Sequence, residues 1–193
     1  MKNNRFGKAA IFTSDEIIQI RKAMGDLTQH RAIFEIALLT GEKIGAILRL
    51  AVSDVFCSDG SLQSEITFKT RTRQSKSETR KVEIHPDLAC FLRAYSPPKD
   101  GYLFPGLNDD GPITYNAVYL YWKGIFARCN LAHRGFSCHS TRRWFISQLV
   151  ANDTDIATVK DITGHKNIAI LLDYVAENKE RRQKALANIQ VAA

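Results

Sequence analysis

The stretch that decides the fold runs from residue 139 to residue 174 and reads HSTRRWFISQLVANDTDIATVKDITGHKNIAILLDY. Its hydrophobic periodicity predicts three helices, at about residues 139–150, 154–163 and 167–176. Gly164 is well placed to end the second helix in the left-handed conformation that favours glycine. His165 is therefore expected on a tight corner between two helices, where an ordinary loop histidine is the alternative interpretation.

The first of these helices carries two polar residues close to its apolar face. That face is formed by Phe145, Ile146, Leu149 and Val150. With about 100° per residue, Arg142 projects onto the centre of this face and His139 lies about 60° away. An inward arginine at the positive end of a helix is explained by a bound anion, because helix N-termini and guanidinium groups both favour phosphate. The alternative is a structural arginine–carboxylate pair.

Tyr174 lies at the edge of the apolar face of the third helix. The residues expected to be buried there are Ile168, Leu171, Leu172 and Val175. Tyr174 projects about 110° from the centre of this face, so its ring is expected to be partly packed and its hydroxyl reachable. An ordinary boundary tyrosine is the alternative.

The sequence upstream predicts further helices and a small sheet. Thr13 and Glu16 form a capping box, which predicts that a helix begins at residue 13. A second helix is predicted at about residues 30–40, ending at Gly41, and a short one at about 43–51. Two more are predicted to begin near Pro86 and Thr114, and they cover about residues 86–95 and 114–129. Strands are predicted at 63–69 and 80–84, with a short one near 53–57. The fold class is therefore α+β, mainly α, with a three-stranded antiparallel sheet.

The connection between the two longer strands is strongly basic. Its only acidic residue is Glu78, and its basic residues are Lys69, Arg71, Arg73, Lys76, Arg80 and Lys81. A basic β-hairpin is suited to contacting the phosphate backbone of a nucleic acid. A solvated hairpin without a partner is the alternative.

The composition agrees with a nucleic-acid partner. The chain has 193 residues, a formal charge of +7 and a pI near 9.3, and a basic balance favours polyanions. No apolar stretch approaches a membrane span or a secretory signal, so the expected location is the cytoplasm, in association with the nucleoid. The spacing of Cys129, His133, Cys138 and His139 matches no usual zinc pattern, and no metal or other cofactor is expected.

These features occur in the order found in the tyrosine recombinases, which are also called the phage-integrase family. Residues 13 to 176 of this chain resemble the catalytic domain of that family. The family carries a thr-gly-x-arg box, a hairpin lysine, a his-x-x-arg box, a gly-his box, and a tyrosine nine residues later. The matching positions are Thr40–Lys43, Lys76, His139–Arg142, Gly164–His165 and Tyr174. The segment GYLFPG at 101–106 also resembles the family. The fold expected from the resemblance is the tyrosine-recombinase catalytic domain.

Two positions depart from the family pattern. Lys43 replaces the first arginine, and Ala46 stands where an acidic residue is usual. Arg49 follows six residues after Lys43 and is expected on another side of its helix. Lysine keeps the charge but loses the fork that grips two phosphate oxygens. The alternatives left open are therefore an active recombinase, a weakened relative that binds DNA as an accessory or regulatory protein, and a helical nucleic-acid-binding module of another fold.

The resemblance implies phosphoryl transfer without metal or ATP. Tyr174 would attack a DNA phosphate and form a 3′-phosphotyrosyl link, while Arg142 and Lys43 neutralise the phosphate oxygens. His139 would act as general acid and base, His165 would hydrogen-bond the phosphate, and Lys76, or alternatively Lys69, would protonate the leaving 5′-oxygen. The expected DNA-contacting residues are Lys69, Arg71, Arg73, Arg80, Lys81 and Arg143.

The resemblance also implies a domain organisation and partners. Residues 1–12 form a basic tail, residues 13–176 the catalytic domain, and residues 177–193 a helix that could dock on a neighbouring protomer. The expected partners are double-stranded DNA, a homo-oligomer of two to four protomers on that DNA, and accessory DNA-bending proteins. With so few residues before the catalytic part, the chain resembles the single-domain recombinases that invert fimbrial switches. The sequence is equally compatible with a shortened version of a longer chain.

Overall fold

The computed structural model describes residues 9–69, 79–107 and 111–177, together with residues 183, 186 and 187. The chain divides into two compact units, residues 1–143 and residues 144–193. The described elements are α1 (Ser14–Met24), α2 (Gln29–Thr40), α3 (Ile44–Ile47), β1 (Glu65–Phe68), β2 (Arg80–Glu83), α4 (Pro86–Ala94), α5 (Tyr115–Arg128), α6 (His139–Ala151), α7 (Ile156–Thr163) and α8 (Ala169–Glu177).

The first helix begins at the predicted capping box. Thr13 Oγ1 accepts from Glu16 N at 3.2 Å, and the Glu16 carboxylate accepts from Thr13 N at 2.8 Å. These two bonds satisfy amide groups that an uncapped helix would leave unpaired. The inner face of α1 is formed by Ile17, Ile20 and Met24, which are buried.

The short helix α3 ends earlier than the predicted range of 43–51. The chain tightens after Ile47, where Leu50 N donates to the carbonyl oxygen of Ile47. Leu50 then pairs with the 101–106 segment, because its own carbonyl accepts from Leu103 N at 2.8 Å. Leu50 and Leu103 are fully buried, so their pairing is part of the core of the first unit. Because the carbonyl of Leu50 bonds to Leu103 and not to a later residue of the same helix, the helix does not continue past this point.

The sheet confirms the predicted hairpin but lacks the predicted third strand among the described residues. β1 and β2 are antiparallel, with Ile66 opposite Val82. The range 53–57 was expected to be a strand, and this is wrong: Val52–Asp54 forms a 3-10 turn. Asp54 Oδ2 closes this turn by accepting from Ala51 N at 2.9 Å. The predicted class, mainly helical with a small antiparallel sheet, is confirmed.

The core of the first unit includes side chains of α2, of α5 and of the 101–106 segment. α2 is apolar almost all round, as expected of a buried helix. Its Phe34 packs edge-on against Trp122 of α5, with ring centroids 5.4 Å apart. Leu103 and Phe104 are completely buried, and Phe104 O accepts from Ile113 N at 2.8 Å. The segment GYLFPG therefore contributes its Leu103 and Phe104 to the core.

The second unit is built around one small cluster. Its buried members are Ile146, Val150, Val159 and Leu171, and its half-buried members are Leu149, Ile156, Tyr174 and Val175. The predicted burial of Ile168 and Leu172 is wrong, because these side chains are 40% and 50% exposed. α8 begins only at Ala169, which leaves Ile168 outside the helix. The face of α8 that meets the cluster is formed instead by Leu171, Tyr174 and Val175.

Among the described residues, no helix combines the length and the hydropathy that a membrane span requires.

Candidate active site

The first unit contains a cavity of about 460 Å³ that three of the predicted catalytic residues line. We call it the candidate cavity; its walls are formed by Glu42, Lys43, Ile44, Gly45, Ala46, Leu48, Arg49, Pro112, Ile113, Thr114, Tyr115, Cys138, His139 and Arg142. The structure thus brings Lys43, His139 and Arg142 to one place, although the sequence separates Lys43 from His139 by almost a hundred residues.

The Thr40–Lys43 turn forms one wall of the candidate cavity. Gly41 ends α2 with φ of 61°, a left-handed conformation that favours glycine. Thr40 Oγ1 donates to Ile36 O at 2.6 Å and accepts from Glu42 N at 3.2 Å. The Glu42 carboxylate accepts from Lys43 N at 3.1 Å. The turn is therefore closed by its own side chains, and it leaves the Lys43 side chain exposed.

Arg142 lies in the first turns of α6 and contacts the same turn. Its Nη1 donates to the carbonyl oxygen of Gly41 at 2.7 Å, and the residue is half-buried. This contact fixes one edge of the guanidinium group against the turn that carries Lys43. The positive end of the α6 dipole adds to the attraction that the arginine exerts on an anion.

His139 is the first residue of α6, and two hydrogen bonds to serine side chains fix the start of this helix. Ser137 N donates to Ser140 Oγ at 3.1 Å, and His139 N donates to Ser137 Oγ at 3.2 Å. Ser140 is completely buried, whereas His139 is exposed at the candidate cavity. The imidazole is thus accessible for proton transfer to a group bound in the cavity.

The candidate cavity has a positive electrostatic character. Lys43, Arg49 and Arg142 contribute three cations to its described wall, and Glu42 is the acidic residue of that wall. The Glu42 carboxylate forms an ion pair with Arg80, whose Nη1 lies 2.5 Å from Glu42 Oε2. Its negative charge is therefore compensated from β2, and the wall suits an anion such as a phosphodiester.

Sequence reasoning missed a tyrosine–cysteine pair in the wall of the cavity. Loss of hydration, and then the neighbouring Cys138 thiol, raise the pKa of Tyr115 to about 12. Burial also raises the pKa of the Cys138 thiol. Both groups are therefore protonated at neutral pH and poor nucleophiles. Tyr115 begins an amphipathic helix, and no sequence signal distinguished it from other boundary tyrosines.

The basic residues of the hairpin fall into different environments. Lys69 forms an ion pair with Asp54, which is fully buried, and Arg80 forms one with Glu42. Lys81 remains 64% exposed and lies 3.3 Å from Glu65 across the sheet. Two of the cations expected to contact DNA therefore bind internal carboxylates. Arg71, Arg73 and Lys76 lie outside the described residues.

Arg143, also expected to contact DNA, is bound to the N-terminal segment. Its Nη1 donates to the carbonyl oxygen of Ala9 at 2.6 Å. Arg143 is half-buried. This bond joins the residues before α1 to the start of α6, a role that the sequence alone did not indicate.

In the second unit, His165 lies on the predicted corner after α7. Gly164 has φ of 64°, which confirms that it ends the helix in the left-handed conformation. Gly164 N donates to Asp161 O and His165 N donates to Lys160 O, each at 3.2 Å, which is the Schellman arrangement. The His165 Nδ1 atom lies 2.6 Å from Thr163 Oγ1.

Tyr174 occupies the boundary position that its helical projection predicted. It packs against the cluster of the second unit and is half-buried. Tyr174 and His165 thus belong to the second unit, whereas Lys43, His139 and Arg142 belong to the first.

A family model for the phage integrase family matches residues 11–181 of this chain. The chain belongs to the phage integrase family. Membership explains why the his-x-x-arg and gly-his boxes and Tyr174 occur together.

Individual relatives agree with this assignment. The tyrosine recombinase XerD of Brucella suis is 31% identical over 86 residues, which are 45% of this chain and 28% of XerD. Among solved structures, the XerA recombinase superimposes with a TM-score of 0.72 at 19% identity, over 94% of this chain and 66% of XerA. The XerH site-specific recombinase, bound to a palindromic difH substrate in a post-cleavage complex, has a TM-score of 0.70 at 18% identity, over 93% of this chain and 53% of XerH.

The family model establishes the family, and the solved structures establish the fold. The chain spans two thirds or less of the length of each of these three proteins. Their reactions and partners therefore enter below as proposals for this chain.

Proposed function

We propose that this chain catalyses site-specific recombination, cleaving and rejoining double-stranded DNA through a 3′-phosphotyrosyl intermediate. The observation that supports this most strongly is the candidate cavity, where Lys43, His139 and Arg142 meet in a wall suited to a phosphate. XerH, a protein of the same fold, has been captured with its DNA substrate after cleavage. The formal charge of +7 is favourable for binding DNA.

The proposed cleavage step exchanges one phosphodiester bond for another. The Tyr174 oxygen attacks phosphorus, the bond from phosphorus to the 5′-oxygen breaks, and the tyrosine becomes linked to the 3′-phosphate. His139 takes the tyrosine proton, and Lys76 gives a proton to the leaving 5′-oxygen. Attack by a 5′-hydroxyl of another strand reverses the step, so the reaction conserves its bond energy and needs no ATP.

The charge of the phosphate determines the remaining assignments. Arg142 and Lys43 stabilise the negative oxygens of the transition state, and His165 hydrogen-bonds one of them. Phosphoryl transfer depends mainly on such positioning and charge stabilisation. Because Lys43 cannot form the two parallel bonds of an arginine, this chain is expected to react more slowly than a relative with arginine there.

We assign Lys81, whose side chain is 64% exposed, together with Arg71 and Arg73, to the phosphate backbone. Lys69, Arg80 and Arg143 serve mainly to hold the structure together, since each contacts a carboxylate or a backbone carbonyl of the protein. Two to four protomers would assemble on the DNA, using the C-terminal residues 177–193, with DNA-bending proteins as possible accessories.

The test is trapping of the covalent intermediate. Target duplexes are first selected by binding from a random pool and then nicked close to the cleavage position, so that the short 5′-hydroxyl strand diffuses away after cleavage. The wild type should form an adduct that survives denaturant, and mass spectrometry should place the nucleotide on Tyr174. Tyr174→Phe should form none.

A matched tyrosine controls for general damage to the protein. Tyr102 is 43% exposed and does not line the candidate cavity, so Tyr102→Phe should form the adduct at the wild-type rate. Specific DNA binding without any adduct from the wild type would contradict the proposed reaction and favour an accessory DNA-binding role.

A further inference from the structure

The hydroxyl of Thr163 contacts two groups but has only one hydrogen to donate. Thr163 Oγ1 lies 2.6 Å from the carbonyl oxygen of Val159 and 2.6 Å from Nδ1 of His165. The residue is only 1% exposed, so protein atoms rather than water must satisfy the hydroxyl. A hydroxyl has one hydrogen to donate and two lone pairs with which to accept.

From this proton count we infer that Thr163 is a positioning residue that holds neutral His165 in the tautomer with hydrogen on Nδ1. A carbonyl oxygen can only accept, so the Thr163 hydrogen must point to Val159. The short contact with the imidazole then requires Nδ1–H to donate to Thr163 Oγ1. Hydrogen on Nε2 alone would place two lone pairs against each other at 2.6 Å.

The backbone around His165 is fixed as well. The Schellman bonds from Gly164 and His165 to the last turn of α7 determine where the Cα atom of His165 lies. The Thr163 contact then determines the orientation of the ring. Together they leave little rotational freedom to the imidazole, and they orient Nε2 away from Thr163 because the two nitrogens lie on different sides of the ring.

The inference has a chemical consequence that rests on the proposed function. With hydrogen on Nδ1, the Nε2 atom of the neutral ring is a hydrogen-bond acceptor. It can donate to a phosphate oxygen only in the imidazolium form, in which both nitrogens carry hydrogen. Thr163 thus determines that His165 meets the DNA phosphate either as a cation or as a proton acceptor, and not as a neutral donor.

The first test measures the tautomer and does not depend on any activity. The full chain is labelled with 15N in its histidines, and the imidazole nitrogens are observed by NMR about two pH units above the ordinary histidine pKa of roughly 6.5. His165→Gln identifies the signals of His165 among the five histidines. The wild type should show hydrogen on Nδ1; hydrogen on Nε2 would overturn the inference.

Two substitutions of Thr163 sharpen this measurement. Thr163→Ser keeps the hydroxyl and should retain the Nδ1–H tautomer. Thr163→Val has nearly the same shape but no acceptor, so the Nε2–H form should become the major one. Val159 O can still accept from the backbone amide of residue 163 within α7, so the valine leaves no buried carbonyl unpaired. A valine variant that keeps the wild-type tautomer would contradict the inference.

The second test asks whether Thr163 acts through His165 in the reaction. In the adduct assay, Thr163→Val should lower the cleavage rate by about fivefold to tenfold, the effect of losing one hydrogen bond, while Thr163→Ser should restore most of it. In the His165→Gln background, Thr163→Val should have no further effect. Independent, multiplying losses would mean that Thr163 acts only on the fold. If the wild type forms no adduct, the proposed function fails, and the NMR result still tests the tautomer.

Discussion

Arg80 Nη1 lies 2.5 Å from Glu42 Oε2, and this ion pair joins strand β2 to the Thr40–Lys43 turn. The Glu42 side chain is 3% exposed and that of Arg80 is 12% exposed. Glu42 also accepts from the backbone amide of Lys43 at 3.1 Å. A residue of the hairpin thus contributes to the position of a candidate catalytic lysine, without itself lining the candidate cavity.

Glu42→Gln should strongly destabilise the protein. The substitution removes the negative charge from a buried ion pair, and removing one partner of such a pair typically costs about 3–5 kcal/mol. The free energy of unfolding in urea measures the effect. Glu65→Gln is the matched control, because its pair with Lys81 is exposed and is worth about 1 kcal/mol or less. Equal losses for the two variants would show that burial of the Glu42–Arg80 pair has no special importance.

Lys69→Met should also reduce stability, because Asp54 is completely buried and Lys69 is its cationic partner. Lys76→Met should leave the unfolding free energy within about 0.5 kcal/mol of the wild type, as expected of a residue that acts on DNA. The adduct rate should instead fall at least tenfold in Lys76→Met. Comparing thermal unfolding and adduct formation in both variants decides which lysine is catalytic. A Lys69→Met variant with wild-type stability and no adduct would assign catalysis to Lys69.

The sequence was most informative where local rules determine the structure. The capping box at Thr13, the helix-ending Gly164 and the boundary position of Tyr174 all depend on residues within one or two turns of the chain. The paired strands were also predictable, because alternating residues such as Ile66 and Val82 show which face is buried. The family boxes then indicated which polar residues to consider together.

The remaining features depend on partners that are distant in sequence. The third strand expected near 53–57 was wrong because the Asp54 side chain closes a tight turn and pairs with Lys69. The same limitation applies to Arg80 and Arg143, whose partners Glu42 and Ala9 within the protein are too distant in sequence to be predicted. A net count of basic residues does not separate cations that bind the protein from cations that remain accessible.

Lys43→Arg should raise the rate of adduct formation, by about tenfold if one additional charged hydrogen bond to the phosphate forms in the transition state. The guanidinium can bind two phosphate oxygens in parallel, whereas the ammonium acts as a single point charge. Lys22→Arg is the matched control, since Lys22 is an exposed lysine of α1 that does not line the candidate cavity. A lower rate for Lys43→Arg would indicate that the cavity is adapted to lysine.

His30 should make the stability of the protein sensitive to acid. It stacks on Tyr121 with ring centroids 3.9 Å apart, and burial lowers the pKa of His30 below its ordinary value of 6.5. The folded protein therefore binds the proton less readily than the unfolded chain does. The contribution of His30 to stability is present above pH 6.5. It is lost as the pH falls below that value toward the lower pKa of His30 in the folded protein, because protonation then favours the unfolded chain.

His30→Phe keeps an aromatic ring against Tyr121 but cannot be protonated. Its free energy of unfolding, measured in urea at about pH 7.5 and about pH 5.5, should fall less between these two values than that of the wild type. His133→Gln serves as the comparison for removing an exposed imidazole, since His133 is exposed after the end of α5. An identical loss for wild type and His30→Phe would exclude His30 as a source of the acid sensitivity.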